Sequence, residues 1–500
     1  MRPIPLFLSG LLVAVVLAGC TESSTPPTSG PTAPADTIAT LPGFTPLARS
    51  LLPTFAAPTL IDDVRAGGEP VIAVTHKGTI LVGSHPGFTH YHPGSDPAAV
   101  TDLVGPFGGQ SYIFRSTDNG TTWQPIGAPM GMGMGPRGAG FGVSDPEFTV
   151  MEDGTICFTD LEALAAASTS CSIDDGQTWL TANPASSGGP VDRQWLSSYK
   201  DEFYFTGSGA KFRASKDRGV TWEDRGDEAC GSDVVANPAN GHLYQSCDGY
   251  AMAVSTDGGR LWSRPLGPKD AQGSGLALNE PAVDSAGNVW LAWADNEKTL
   301  HLAGTPDEGS TWPWELDLTP HFRLFSATAS HAASGLAGPS FSGNMTAYPA
   351  TNGTYVWPWV SAGSAGRLSV TWIGAYEEQP SESNDGPWYT FTAFVINATS
   401  PHPTVVVSQL TPTPMHDGPI CQGGTGCEVG SVQGEAGSDR RLGDFFETTV
   451  EPGTGYLLAT WSNTAAHPSD VIGHPQFVRQ TGGIRLIADD ELARFRPTQG

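Results

Sequence analysis

Charge is scarce in this 500-residue chain: Asp, Glu, Lys and Arg make up 15% of it, and 25 basic residues face 51 acidic ones for a formal net charge of −26. So few Lys and Arg cannot neutralise a phosphate backbone and release its counterions, which excludes a nucleic-acid partner. The seven cysteines contain no C-x-x-C spacing, so the commonest zinc-ligand pattern is missing. The apolar run that opens the chain, Ile4 to Leu17, is too short for a comfortable membrane span. What is plentiful is Gly (62) and Pro (42), beside a hydrophobic content of 39%. That composition suits a turn-rich, all-β protein with a real core.

Met1-Arg2, the apolar run and then Leu17-Ala18-Gly19-Cys20 follow the layout of a secretory signal. The small residues before Cys20 resemble the bacterial lipobox, whose cysteine is diacylated and becomes the mature N-terminus. Residues 1–19 are therefore expected to be a signal peptide, Cys20 the lipidation site, and 20–58 a Ser/Thr/Pro-rich tether ahead of a folded unit at 59–495. The expected location is the outer face of a bacterial cell membrane, reached through the lipid alone. With Cys20 set aside, six cysteines fall into near pairs: Cys157 with Cys171, Cys230 with Cys247, and Cys421 with Cys427. An exported chain keeps such pairs oxidised, and proximity alone selects this connectivity.

One segment recurs five times. Ser116-Thr117-Asp118-Asn119-Gly120-Thr121-Thr122-Trp123 is echoed by Ser172 to Trp179, Ser215 to Trp222, Ser255 to Trp262 and Thr305 to Trp312. The constant acids are Asp118, Asp174, Asp217, Asp257 and Asp307, each two residues before a Gly. This is the chemistry of a hairpin turn: the carboxylate accepts backbone N–H bonds, the Gly permits positive φ, and the hydroxyl closes the turn. A calcium loop would need further carboxylates at alternate positions and a closing Glu, which do not follow. A second register precedes the turns. Glu69-Pro70, Asp145-Pro146, Asp192-Arg193, Asp233-Val234 and Glu280-Pro281 each open a strand-like stretch at a similar distance from the next turn, only the first interval being longer.

The five turns resemble the Asp-box, or BNR repeat, of the sialidase-like β-propellers, secreted bacterial lipoprotein type. The resemblance covers residues about 60 to 480 and implies an all-β propeller of four-stranded antiparallel blades, the box linking the third and fourth strands of each blade. Starts near 69, 145, 192, 233, 280, 355 and 444 give seven blades, against the six of true sialidases. The acids at these starts would line the central channel. Capping strand starts through backbone amides is the structural role expected of most of them.

Three segments exceed what a blade needs, and such loops carry function. One holds His85, His90, His92 and Asp96, which could take a divalent metal, although no helix or strand spacing fixes them and no cofactor is otherwise expected. The second is the Gly- and Met-rich stretch Ala128 to Arg137, read as a flexible loop, with a soft-metal methionine site as the alternative. The third runs from His416 through Cys421 and Cys427 to a Gly443-Asp444-Phe445-Phe446 strand. Sialidases bind a sugar carboxylate with three arginines and use a Tyr nucleophile activated by Glu beside an Asp acid/base. What the resemblance implies as catalytic residues is Arg65, Arg193, Arg441, Glu280 and Asp444, with Arg367, Glu69, Glu147 and Glu447 in comparable places. The family's first-arginine motif, Phe-Arg-Ile-Pro, is absent: Asp63-Val64-Arg65-Ala66 stands there instead. No tyrosine is singled out, Tyr355, Tyr376 and Tyr389 being available in the sixth blade. The expected function is thus a monomeric surface propeller that recognises a glycan or protein through its channel-face loops. An exo-glycosidase of exo-α-sialidase type acting on terminal acidic sugars is the first alternative, and a polysaccharide lyase the second.

Overall fold

The computed structural model describes residues 51–63, 67–85, 111–126, 145–162, 166–180, 183–187, 191–268, 281–319, 353–422, 439–468 and 472–492. They form a seven-bladed β-propeller of antiparallel blades with almost no helix. Blade I comprises Gly68–Val74, Ile80–His85, Tyr112–Ser116 and Gln124–Ile126; blade II Glu147–Val150, Ile156–Glu162, Ala166–Ser172 and Asn183–Ser187; blade III Asp192–Tyr199, Glu202–Ser208, Lys211–Ser215 and Glu223–Asp227. Blade IV has Val234–Ala236, Leu243–Cys247 and Ala251–Ser255, with a bridge from Met252 to Leu266 at its outer edge. Blade V is Ala282–Val283, Val289–Asp295, Thr299–Thr305 and Trp314–Asp317, and blade VI Thr354–Ala362, Arg367–Ala375, Pro387–Ile396 and Thr404–Gln409. The seven starts read from the sequence all fall at the innermost strands or just before them.

Blade VII closes the ring. Its inner three strands are Thr448–Val450, Leu457–Asn463 and His474–Gly482, and its fourth comes from the other end of the chain: Thr54–Phe55 and Thr59–Leu60 both pair with His474–Gly482. Residues 54–55, assigned to the tether on composition, thus belong to the last sheet. The local reason is Phe55, 2% exposed, which enters the central core beside Phe394.

Each blade lies face to face with its neighbours, so most strands are buried on both sides and read as unbroken apolar runs, as in Val71–Val74 and Leu457–Ala459. The Ser-x-Asp turns join strands three and four. Asp118 accepts Ser116 Oγ (2.8 Å), Thr122 N (2.9 Å) and Thr122 Oγ1 (2.6 Å), while Gly120 N donates to Ser116 Oγ (2.8 Å). Asp174, Asp217 and Asp307 repeat all of these bonds, and Asp257 repeats those that its Leu261 in place of Thr allows. The residue before the Gly reaches back to the preceding blade. Asp175 accepts Thr75 Oγ1 and Thr79 Oγ1, both at 2.6 Å, and pairs with Arg115; Glu308 accepts Tyr244 OH at 3.2 Å and contacts His242.

Cys157–Cys171 and Cys230–Cys247 are the disulfides that proximity suggested. Cys421 is also disulfide-bonded, while Cys427 and Cys20 lie outside the described residues.

The structure corrects one element. Gly443 to Glu447 is not a strand; blade VII begins at Thr448. Gly443 has φ +84°, and Asp444 N donates to Glu69 Oε1 (2.9 Å) instead of a sheet neighbour, so the chain turns out of the blade before it can pair. Phe445 then packs on Trp195 of blade III with ring centroids 5.0 Å apart, both side chains buried. The segment therefore reaches across the channel and fills it.

Candidate functional site at the channel mouth

The turns between strands one and two share a face with the Ser-x-Asp turns, as the Asp175 bonds to Thr75 and Thr79 require. The innermost strands start on the other face. There the backbone is strained in a repeated way: Glu69 (φ 48°) and Arg193 (φ 54°) are second in their innermost strands, Asp145 (φ 50°) stands two residues before one, and Trp357 (φ 51°) sits inside Thr354–Ala362 at its register shift. Non-glycine residues held at positive φ cost on the order of 1–3 kcal/mol each and gather at functional sites. The ladder shifts register at three of them, between Gly68 and Val71, Asp192 and Gln194, and Val356 and Trp359. Pro70, Pro146 and Pro358 follow three of the four. Proline is tolerated because an innermost strand has no partner on its channel edge.

Three of these residues, Glu69, Asp145 and Arg193, close a ring of hydrogen bonds with Asp444. Asp145 N donates to Glu69 Oε2 (3.3 Å), and Arg193 N donates to Asp145 Oδ2 (3.1 Å). Arg193 Nη2 donates to Asp444 Oδ2 (3.0 Å), and Asp444 N returns to Glu69 Oε1. Blades I, II and III and the crossing segment are thereby tied through one loop. Arg440 grips the same carboxylate with two nitrogens, Nε on Oδ1 at 3.3 Å and Nη2 on Oδ2 at 2.7 Å. His85 Nε2 lies 2.8 Å from Glu69 Oε2, both fully buried, and the Gln194 amide donates to Asp145 O. A Cβ on Gly443 would come within 2.2 Å of Glu69 Cγ, so the approach that makes the ring depends on glycine.

Burial pushes the Asp145 carboxyl well above the ordinary carboxylate range, reinforced by Glu69. Burial alone would lower the Arg193 guanidinium, but Asp444, then Asp145, Asp192 and Glu69, outweigh it and hold the charge in place. A second pair of acids comprises Glu147, which opens the innermost strand of blade II, and Glu447, just before that of blade VII. Glu447 Oε2 accepts Ile72 N (2.9 Å) and its carboxyl shares a hydrogen bond with Glu147; burial, only partly offset by those bonds, raises it to about 7. Glu147 and Asp233 each also accept the amide that follows them, at 2.6 Å. Capping of inner-strand amides, the structural role expected of the channel acids, is what these bonds do.

No family model matches the chain, and no curated protein matches it. Among solved structures it is similar to a Hadza microbial sialidase at 15% identity, TM-score 0.38, over 71% of this chain and 68% of that one. The leech intramolecular trans-sialidase is similar at 11% identity, TM-score 0.37, over 63% and 67%, and the WD40 repeats of RRP9 at 8%, TM-score 0.47, over 86% and 99%. These are distant likenesses of shape, and the seven-bladed description rests on the chain's own strands.

Of the residues named from the sequence, the structure brings Arg193 and Asp444 together. Arg441 goes elsewhere: it binds Asp439 through Nε (2.8 Å) and Pro468 O through Nη1 (2.8 Å), leaving its neighbour Arg440 to reach Asp444. Arg367 donates to Arg485 O (2.9 Å), away from the ring. Arg65 and Glu280, like His90, His92 and Asp96, lie outside the described residues. Tyr355 packs in the core shared by blades V and VI, Tyr376 donates to Gln409 (2.7 Å), and Tyr389 packs against Tyr376 and Phe391. Asp145 is the ring member that was not named as a site residue, and Arg440, which grips Asp444, was missed beside it; His85, named among the metal candidates, lies against Glu69. For Asp145 a signal existed, the acid-Pro pair at the same blade position as Glu69-Pro70.

Proposed function

We propose that the chain is an exported, lipid-anchored surface propeller that recognises a glycan at its channel mouth, through the ring of Glu69, Asp145, Arg193 and Asp444. The observation that carries the reading is the ring itself: strained, closed, and placed on the face where the innermost strands start. Mixed donors and acceptors fixed in place suit the hydroxyl groups of a sugar. The lipobox-like Cys20 and the Ser/Thr/Pro-rich stretch after it support the anchor, and the two disulfides accord with an oxidising compartment. The five Ser-x-Asp-x-Gly turns support membership of the Asp-box propellers.

The test is binding of the purified chain from residue 45 onward to an oligosaccharide array, beside Arg193→Ala. Signal that disappears in the variant supports the reading; binding only to protein ligands, or none, sinks it. A second reading, an exo-glycosidase, is favoured by one feature, the convergence of Arg193 and Arg440 on a single carboxylate. Hydrolysis of a fluorogenic sialoside by the same protein, lost in Arg193→Ala, would decide for it.

A further inference from the structure

We infer that the glycan accepted at this mouth is uncharged, and that Asp444 excludes acidic sugars by occupying the place their carboxylate would take. The inference rests on the glycan reading above. Two guanidinium groups converge here, as they would on a ligand carboxylate, but the chain supplies that carboxylate itself. Asp444 takes a two-nitrogen grip from Arg440 and a third bond from Arg193, and it is 4% exposed. Its backbone cannot retreat easily, because its N–H is held by Glu69 Oε1 and the next residue, Phe445, is packed on Trp195. An incoming sugar acid would have to expel Asp444, leaving a buried carboxylate stripped of its partners.

The surrounding charge points the same way. Arg193 faces Asp444, Asp145, Asp192 and Glu69, and Arg440 faces Asp444, Glu69 and Asp145. Leaving aside Asp145, whose carboxyl burial pushes up, three carboxylates, Asp444, Asp192 and Glu69, stand against two guanidiniums before any ligand arrives. A further anion meets like charge, while a neutral sugar brings none and can accept from Arg193 through its hydroxyl oxygens. The Arg193 side chain is 15% exposed, and its bond to Asp444 uses only one nitrogen of the fork, Nη2.

The experiment uses an array of matched pairs that differ by a carboxylate: galactan and galacturonan oligomers, xylan and glucuronoxylan oligomers, and N-acetyllactosamine with and without terminal sialic acid. The wild-type chain is expected to bind the neutral member of at least one pair roughly tenfold better than its acidic partner, with the gap narrowing as salt is raised. Equal or tighter binding of the acidic member overturns the inference while leaving the glycan reading intact. Silence on every member overturns both. Asp444→Ala, with Asp444→Asn as the isosteric second variant, is then expected to gain roughly tenfold for the acidic member, since it vacates both guanidiniums. A folded variant, judged by its thermal unfolding, that gains nothing also overturns it.

Discussion

Arg193 and Asp444 belong to elements three blades apart in the ring, and their side chains meet at 3.0 Å across the channel. The contact fixes the crossing segment against blade III, because the backbone of each partner is already tied: Arg193 N to Asp145, and Asp444 N to Glu69. Arg193→Ala therefore does more than remove a surface charge. It leaves Asp444 with Arg440 alone, and breaking a buried pair from one side costs about 3 kcal/mol. Denaturant unfolding should show that loss, together with loss of ligand binding. Arg193→Lys should recover part of the stability but not the binding, since a single ammonium nitrogen drawn to Asp444 cannot place a second nitrogen elsewhere as the planar guanidinium fork does. Full recovery of binding by Lys would mean that the fork geometry is irrelevant.

The Glu447 carboxyl sets a pH dependence whose sign follows from burial. A carboxyl raised from 4.5 to about 7 holds its proton more tightly in the folded chain, so its stabilising contribution is complete below about pH 4.5 and is lost as pH climbs through 7. Asp145, raised in the same direction, adds to that slope. The turn aspartates work oppositely. Asp118, lowered to about 2 by the Thr122 hydroxyl and amide, contributes above 3.8 and fades as pH falls toward 2. Maximum stability is thus expected near pH 4–5, with a decline of roughly 2–3 kcal/mol on going to pH 8 attributable to Glu447. Glu447→Gln keeps the acceptor for Ile72 N and should flatten the decline. An unchanged slope in that variant would refute the assignment.

Much of the fold was legible because its determinants are local. A turn such as Ser215 to Trp222 contains all the atoms that close it, so five copies announce five blades, and the acid-Pro starts place the inner strands between them. The closing strand was not legible, since Thr54–Phe55 has no periodicity of its own and gains its identity from Gln480 and Gly482, more than four hundred residues away. The site was half legible for the same reason. Arg193 and Asp444 stood out as charges beside inner strands, whereas the choice of Arg440 over Arg441 depends on Asp439 and Pro468, which capture the latter. Gly443-Asp444-Phe445-Phe446 reads as a strand by its aromatics, and only the meeting with Glu69 and Trp195 turns it across the channel.

Two glycines with nearly the same backbone separate conformational strain from packing. Gly259, in the fourth blade's turn, has φ +87°, and a Cβ there would fall 2.0 Å from Cε1 of Phe212 in blade III. Gly78 has φ +82° and open space around it. Alanine at Gly78 should cost only the left-handed backbone penalty, about 1 kcal/mol. Alanine at Gly259 carries that penalty plus an overpacking cost of about 1–3 kcal/mol, because the ring it meets is locked between two blades. Equal losses in chemical denaturation would show that the turns do not wedge neighbouring blades together.

Closure of the ring makes the sharpest prediction about the chain's N-terminal side. A protein beginning at Asp62 lacks both short strands that pair with His474–Gly482, and with them the Ala56 N to Arg479 O and Ile61 N to Pro475 O bonds, each 2.9 Å. It also uncovers the pocket of Phe55, a burial worth about 2 kcal/mol by itself. The exposed edge of the last blade then offers unpaired N–H and C=O groups to any other strand, which favours association between chains. Size-exclusion chromatography with light scattering should find the truncated protein oligomeric, and a synthetic peptide of residues 51–61 should return it to a monomer. The effect should reach the channel mouth as well, because this segment leads directly to Glu69, with Asp63 paired to His467 (2.9 Å) on the way. Glycan binding that survives in a monomeric truncation would mean that the ring of Glu69, Asp145, Arg193 and Asp444 holds without the closing strand.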